Sequence, residues 1–332
     1  MQRKPDADAI GAFFDELGQQ PWLYAKQRHW PRFFFHVTDA SNVVSILRDA
    51  CLYSRDEVES TGRKRHDNAS ADVLSGTDPE CLRSVRLYFR PRTPTFWHNE
   101  GICPKGHCSQ YQAHCPMPVA LLFDSAEVGG LEGVAFSDGN LAGAHTRIGD
   151  DIDFLRSLDF RDIYHDQPLP VAGRERIRSA RQAEVTTPSG LPLSSLRWVV
   201  SRSVAERQKL QTLLDQERVR SPVAEQAFVS DYQCFVGERT YVERIDHTGT
   251  HVQVTFNSAT KTPGPYRVQV TLTDPTTGEL FTDDFSTRTD TALRYALPAS
   301  LRERNVRVVL LLDGFRAFAG DVQPRPAMSL LR

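Results

Sequence analysis

The chain lacks a long apolar run. Its opening residues, Met1-Gln2-Arg3-Lys4-Pro5-Asp6-Ala7-Asp8, lead into none, and no later stretch reads as a membrane span. Neither a signal peptide nor a transmembrane segment is expected, and the cytoplasm is the default compartment. Charge of one sign is also missing. Lys and Arg number 40 against 42 Asp and Glu, a formal net charge of -2, so no global basic field announces nucleic acid; such binding would need local patches. Cysteine is sparse, six residues in 332, which does not read as a disulfide scaffold. What is there, 40% hydrophobic and 25% charged residues, is the composition of a globular protein, and the length suggests two domains.

Residues 7–18 carry Ile10, Phe13, Phe14 and Leu17 at helical spacing, with Gly18 placed to end an amphipathic helix. Arg32-Phe33-Phe34-Phe35-His36-Val37-Thr38-Asp39 is rich in aromatic and β-branched residues and predicts a buried strand. Asp39 or Ser41 then caps a helix bearing Val43, Val44, Ile46 and Leu47. His36 thereby falls near a strand end, where ligands often bind, although a lone histidine there also serves structure. Residues 54–84 are polar and irregular, which suits either a functional loop or a disordered insertion.

In Val85-Arg86-Leu87-Tyr88-Phe89-Arg90 the apolar residues alternate with arginine and tyrosine, giving one apolar face and one cationic, aromatic face. Pro91 and Pro94 end that strand. Arginine and tyrosine together can pair phosphates and stack a flat ring, and a solvated strand face shows the same alternation. Cys103, His107, Cys108, His114 and Cys115 gather zinc-type ligands at a spacing that matches no standard zinc pattern. Reduced cysteines in a loop are the plainer reading, and no metal is expected. Pro118–Asp124 and residues 134–136 read as buried strands, the second running into the turn Ser137-Asp138-Gly139-Asn140. Residues 151–165 are helical in part.

The chemistry is expected at Arg181-Gln182-Ala183-Glu184-Val185. There one carboxylate opens an extended run and follows a segment with Arg174, Arg176, Arg178 and Arg181. A lone acid beside many arginines suits a site that holds phosphates and meets a developing positive charge; a salt-bridged strand edge has the same composition. Leu196–Val200 adds a strand, and Ser203 caps a helix to about residue 218 that closes the first domain, with a linker at 219–230. Beyond Asp231 the texture changes to alternating strands with turn signals, Asp274-Pro275-Thr276-Thr277-Gly278 among them. This predicts a β-sandwich over 231–325 with no catalytic constellation.

Four segments, in order, resemble the DarT family of NAD-dependent ADP-ribosyltransferases that modify nucleic acid. They are Phe35-His36-Val37-Thr38 with Asn42 and Ile46-Leu47, Tyr88-Phe89-Arg90-Pro91-Arg92-Thr93-Pro94, Phe136-Ser137-Asp138-Gly139-Asn140, and Arg181-Gln182-Ala183-Glu184. The resemblance covers roughly 33–215 and leaves the sandwich outside it. It implies an α+β ADP-ribosyltransferase-like domain over 1–220, and the all-β sandwich-like accessory domain that follows is read from its strand pattern alone. It implies Glu184 as the catalytic residue, and His36, Thr38, Asn42, Tyr88 and Arg92 as residues that hold NAD. It also implies an arginine from the loop before the Tyr88 strand, where this loop departs from the family and leaves Arg63 and Arg65 as candidates.

The function so implied is a toxin that moves ADP-ribose from NAD onto a nucleobase of single-stranded DNA, with thymine or guanine and DNA or RNA left open. Its partner would be an antitoxin or an ADP-ribose-removing enzyme. The rival readings are transfer onto protein and a non-catalytic nucleic-acid binder with a zinc-stabilised loop.

Overall fold

A computed structural model describes residues 1–63, 83–106, 114–143, 145–188, 190–220 and 233–325. The chain divides into two compact units. The first comprises Met1–His98, Val119–Val200 and Val219–Val236; the second comprises Asn99–Pro118, Ser201–Arg218 and Gly237–Arg332.

In the first unit the strands run β1 (Phe33–Asp39), β2 (Cys51–Tyr53), β3 (Val85–Tyr88), β4 (Pro118–Asp124), β5 (Ala135–Ser137), β6 (Ile148–Gly149), β7 (Glu184–Thr187), β8 (Gly190–Pro192) and β9 (Leu196–Ser201). Seven of them form one sheet in the order β6-β5-β7-β3-β1-β4-β9, while β2 pairs with β8. β3 is central, antiparallel to β1 on one side and to β7 on the other. The alternation in its sequence decides its orientation. Val85 and Leu87 are buried in the core, whereas Arg86 and Tyr88 emerge half-buried on the other face.

β1 stops where its sequence changes from aromatic to polar. The Asp39 carboxylate accepts hydrogen bonds from the Ser41 backbone N–H and hydroxyl, at 3.0 and 2.7 Å, and so caps the helix Ala40–Asp49. That helix buries Val43, Val44, Ile46 and Leu47, and the helix Ala7–Gly18 buries Ile10, Phe14 and Leu17, as their spacing predicts. Residues 151–165 resolve into two short helices, Ile152–Ser157 and Phe160–Ile163. The core gathers around Phe34, whose ring meets those of Phe14, Phe89 and Phe136 at centroid distances of 5.3, 5.5 and 6.5 Å.

The second unit holds a three-stranded sheet and a four-stranded sheet. The first has the order β10 (Val242–His247), β11 (His251–Phe256), β14 (Leu293–Ala296). The second has the order β13 (Leu280–Thr287), β12 (Tyr266–Thr273), β15 (Val306–Leu312), β16 (Phe315–Val322). The inward residues of both sheets, Val252 and Val254 with Val268, Val270 and Leu310 among them, share one apolar core, which is the sandwich arrangement.

The helix Val204–Gln216, grouped with the first domain in the sequence, packs on β10 and β16 within this unit. Its Ser203 cap accepts from the Glu206 N–H at 3.1 Å. Arg202, just before it, is buried between Glu206 and Glu100. Of the cysteine–histidine cluster, Cys103 and Cys115 are buried and the His114 ring lies against Phe315 with centroids 4.0 Å apart. His107 and Cys108 fall outside the described residues, as does most of the linker at 219–230. Among the described residues no group of three or more His, Cys, Asp or Glu side chains is placed to hold a metal, and no helix is long and apolar enough to cross a membrane.

Phe34 has no exposed surface and stands at the meeting point of the aromatic core. Phe34→Ala is expected to cost about 3–5 kcal/mol in a urea-unfolding measurement; a cost below about 1 kcal/mol contradicts this core.

Candidate active site

Glu184 is the first residue of β7, and the segment before it is tightly wound. The helix Arg174–Ala180 continues into a turn in which the Arg181, Gln182 and Ala183 N–H groups donate to Ile177, Ser179 and Ala180 carbonyls, each at 2.9 Å. The chain then straightens, with Glu184 set opposite Tyr88 of β3. Ser137, at the end of β5, fixes the acid's backbone. Its hydroxyl accepts from the Glu184 N–H at 2.9 Å and donates to the Gly139 carbonyl at 2.7 Å. A Cβ at Gly139 would lie 2.6 Å from Ser179 Oγ, so a larger residue there would turn that exposed hydroxyl aside.

The carboxylate is 1% exposed. Its two oxygens accept from Arg86 Nη2 at 2.5 and 2.7 Å, and Oε2 also accepts from the Leu141 N–H at 3.1 Å. A charge-assisted contact of this kind is among the strongest that a side chain makes. Burial, and then the neighbouring negative charge of Glu184, raise the Tyr88 phenol far above its ordinary range. Tyr88 is therefore a neutral hydroxyl beside the acid. Asn140 extends the same network, donating to Gln182 Oε1 at 3.2 Å and accepting from the Ala142 N–H at 2.9 Å.

His36 enters from β1. Its Nδ1 lies 3.1 Å from the Arg86 carbonyl oxygen, an acceptor, so Nδ1 carries the proton and Nε2 is left as the acceptor. Burial lowers its pKa, partly offset by the Arg86 carbonyl, and the ring is neutral at pH 7. One residue thus links the two groups that the sequence singled out: Arg86 holds His36 through its carbonyl and Glu184 through its guanidinium.

The other expected residues fall elsewhere. Thr38 and Asn42 are buried, and Asn42 Nδ2 donates to Thr38 Oγ1 at 2.8 Å; this pair braces the strand-to-helix corner behind His36. Arg92 does not contact Glu184. It pairs with Asp166 at 2.6 Å. Arg63 bonds Asp49 at 3.0 Å and covers the Tyr53 ring at 4.3 Å, and Arg65 lies outside the described residues. The sequence offered the arginines of this strand, Arg86 and Arg90, as able to pair phosphates; Arg86 grips the acid, and Arg90 joins Arg92 on Asp166. Ser137, read as a turn residue, is the acid's backbone clamp. The signal for Arg86 was its place two residues before Tyr88, but only the register of β3 on β7 reveals it.

The four segments behind the resemblance therefore gather around one carboxylate, through His36, Tyr88, Ser137 with Asn140, and Gln182 with Glu184, and Arg86, which lies outside them, joins the acid to His36. The sequence model of the DarT family, described as ssDNA thymidine ADP-ribosyltransferase, matches residues 35–229, more than half of the chain. The chain belongs to the DarT family. It is accordingly an NAD-dependent ADP-ribosyltransferase with single-stranded DNA as the family's acceptor.

Among solved structures, DarT from Thermus sp. 2.9 in complex with ADP-ribosylated ssDNA is 20% identical, covering 62% of this chain and 96% of that one, with a TM-score of 0.48. The same protein in complex with NAD+ is also 20% identical, covering 61% and 97%, with a TM-score of 0.45. Thermosipho africanus DarTG in complex with ADP-ribose is 15% identical, covering 65% of this chain and 53% of that one, with a TM-score of 0.48. No curated protein matches the chain.

Removing Arg86 leaves a buried carboxylate short of its cation. Arg86→Met is expected to cost about 2–3 kcal/mol of stability. In the Glu184→Gln background the same change is expected to cost much less, because a neutral amide needs no counter-charge. Equal costs in the two backgrounds, measured by chemical unfolding, would show that the pair is not coupled.

Proposed function

We propose that this DarT-family enzyme moves ADP-ribose from NAD onto a thymine of single-stranded DNA, with Glu184 as the catalytic group. The observation that carries this reading is the buried Glu184 carboxylate, held by Arg86 beside Tyr88 and joined through Arg86 to a neutral His36.

The reaction breaks the bond between nicotinamide and C1 of its ribose, and the electron pair leaves with nicotinamide. Positive charge develops on the ribose, and a fixed carboxylate stabilises it by more than water could, because the site is already organised and largely dry. Glu184 accepts a hydrogen bond from a hydroxyl of that ribose. The nitrogen of the acceptor base then forms the new bond to C1, and its proton passes to the carboxylate. A base inside a duplex cannot reach such a site, which accords with a single-stranded acceptor.

His36 suits a hydroxyl or amide donor of the dinucleotide, since Nε2 is its open acceptor. Tyr88, raised out of its titration range, offers a flat face for nicotinamide. Thr38 and Asn42 serve NAD by holding the corner from which His36 projects. Arg92 is assigned to a phosphate, as argued below.

The region through about residue 220 supplies the chemistry, and the sandwich over 231–325 is read as an accessory module for docking. An enzyme that modifies DNA in its own cytoplasm acts as a toxin. It needs an antitoxin or an enzyme that removes the ADP-ribose, and directed at invading DNA the same chemistry serves phage defence.

The direct test incubates the full chain with labelled NAD and with thymine-containing, thymine-free and RNA oligonucleotides. Label is expected on thymine-containing single-stranded DNA, and Glu184→Gln is expected to lower the rate at least about 100-fold. Label on guanine-containing or RNA strands alone would change the acceptor, label on protein alone would replace the nucleic-acid reading, and full activity in Glu184→Gln would remove the assigned role.

The neutral His36 has a pH signature. Its pKa lies below the ordinary 6.5, so NAD affinity is expected to stay flat as pH falls through that value and to drop only at lower pH. A midpoint at or above 6.5 that disappears in His36→Asn would contradict this environment.

A further inference from the structure

A second cluster lies at the same end of β3 and β7, one turn of chain beyond the Tyr88–Glu184 pair. Arg90 and Arg92 follow Tyr88, and Arg181 precedes Glu184. All three converge on the segment His165-Asp166-Gln167. Arg90 Nη2 donates to Asp166 Oδ1 at 2.9 Å and Arg92 Nη2 to Oδ2 at 2.6 Å. Lys26 stands 3.6 Å from Oδ2. Arg181 Nη2 donates to His165 Nδ1 at 2.5 Å and to the Gln167 carbonyl. Three cations therefore contact one carboxylate and Arg181 stands beside them, an excess of three positive charges in a place where Arg90 is 2% and Arg92 17% exposed.

The cluster also has more donors than acceptors. Arg92 Nε and Arg181 Nε are buried without a hydrogen-bond acceptor among the described residues, and so are Trp30 Nε1 and Tyr164 Oη. Both belong to the same neighbourhood: the Trp30 ring lies under the Arg90 and Arg92 guanidiniums at 5.3 and 5.7 Å, and Tyr164 packs on Trp30. A buried guanidinium N–H without an acceptor is costly.

The cations feel one another. Burial pushes Arg90 down to about 9, with Arg181 and Arg92 adding to the fall against the pull of Asp166. His165 is lowered by burial and then by Arg181 and Arg90. A nearby cleft of about 540 Å³ offers the contrast. Its Arg147 and Arg176 are each matched by acids, Asp138 at 2.7 Å and Asp159 at 3.2 Å with Asp162 also in contact. That cleft has no surplus to satisfy.

We propose that Arg92, Arg181 and Lys26, backed by Arg90 and Asp166, form a phosphate-binding subsite of the transferase. The source of the phosphate rests on the function proposed above, being either the pyrophosphate of NAD or the backbone of the acceptor strand. The binding of a phosphate anion stands on the cluster alone. The half-buried guanidiniums present planar, forked donors to phosphoryl oxygens, and the ligand supplies the missing negative charge. The place, directly after Tyr88 and directly before Glu184 in the chain, lets such a contact hold a substrate in register with the acid.

Titration calorimetry of the full chain with inorganic pyrophosphate tests the subsite without requiring any transfer. Saturable binding is expected in the wild type, weakened at least tenfold in Arg181→Gln and in Arg92→Gln, a few-fold in Lys26→Gln, and unchanged in Arg176→Gln at the neutralised cleft. No binding by the wild type, or binding unaltered in both arginine variants, would overturn the proposal.

The same variants then separate the sources. Weaker oligonucleotide binding, with the log–log salt slope reduced by about 0.7 per lost contact and KM for NAD unchanged, identifies the strand. A raised KM for NAD with oligonucleotide affinity unchanged identifies the dinucleotide. Lost pyrophosphate binding with neither substrate affected would overturn the assignment to the transferase. A chain that binds pyrophosphate through these residues yet transfers no ADP-ribose would leave the subsite standing and remove the function instead.

Discussion

A carboxylate with 1% of its surface exposed cannot persist without compensation. In this chain Arg86 supplies it, by a two-oxygen contact between neighbouring strands whose residues stand 98 positions apart in the sequence. The contact does more than neutralise a charge. It fixes where β7 starts against β3, and so sets Glu184 opposite Tyr88. Because the backbone carbonyl of Arg86 also accepts the hydrogen bond from His36 Nδ1–H, Arg86 ties β1 to the same point. Much of the local architecture exists to keep this arrangement in place: the Ser137 clamp, the turn at Asn140 and Leu141, and the corner closed by Thr38 and Asn42. Such over-determination of one buried acid is what the proposed catalytic role asks for, since the advantage of a fixed carboxylate over water lies in charges that do not have to reorganise.

The proposed chemistry rests on how charge is divided at this end of the sheet. Next to the acid the environment holds neutral polar groups, a phenol pushed up by burial and by Glu184 and an imidazole pushed down by burial. One turn of chain away, three arginines and a lysine crowd a single aspartate. The first environment suits a ribose that becomes cationic as nicotinamide leaves. The second suits the anionic part of a substrate. On the proposed function, having both on the segments that bracket Tyr88 and Glu184 would let one end of the sheet position a phosphorylated substrate and react with it.

Much of this was legible in the sequence, for identifiable reasons. The alternation in Val85–Tyr88 placed the apolar face of β3 correctly because Val85 and Leu87 are fully buried and Arg86 and Tyr88 are not, whereas Arg90, beyond the strand, is buried as well. The helix after Asp39 was legible because cap and spacing agree. That Glu184 and His36, from two separate motifs, are both held by Arg86 is a fact of the fold, and their roles belong to the proposed function.

The cross-strand register was not legible, because nothing local to residues 85–90 says which strand lies beside them. Arg86 was therefore offered as able to pair phosphates when its partner is the acid. Asp166 and His165 went unnoticed because a single acidic residue in a polar turn carries no pattern. Thr38 and Asn42 illustrate a different limit, for a motif can record a corner that must be braced as well as an atom that must be touched. The helix Val204–Gln216 was grouped by sequence order with the first domain. Its packing on β10 and β16 depends on strands that the chain reaches only later.

The central claim is that Glu184, held by Arg86, faces the nicotinamide ribose of NAD. The most direct measurement is a crystal structure of the full chain with a non-reactive NAD analogue. The account predicts a ribose hydroxyl of the nicotinamide half within hydrogen-bonding distance of the Glu184 carboxylate, with the nicotinamide ring against Tyr88 and His36 Nε2 accepting from the ligand. A dinucleotide bound elsewhere, with the Glu184 carboxylate touching only Arg86 and Leu141, would contradict it.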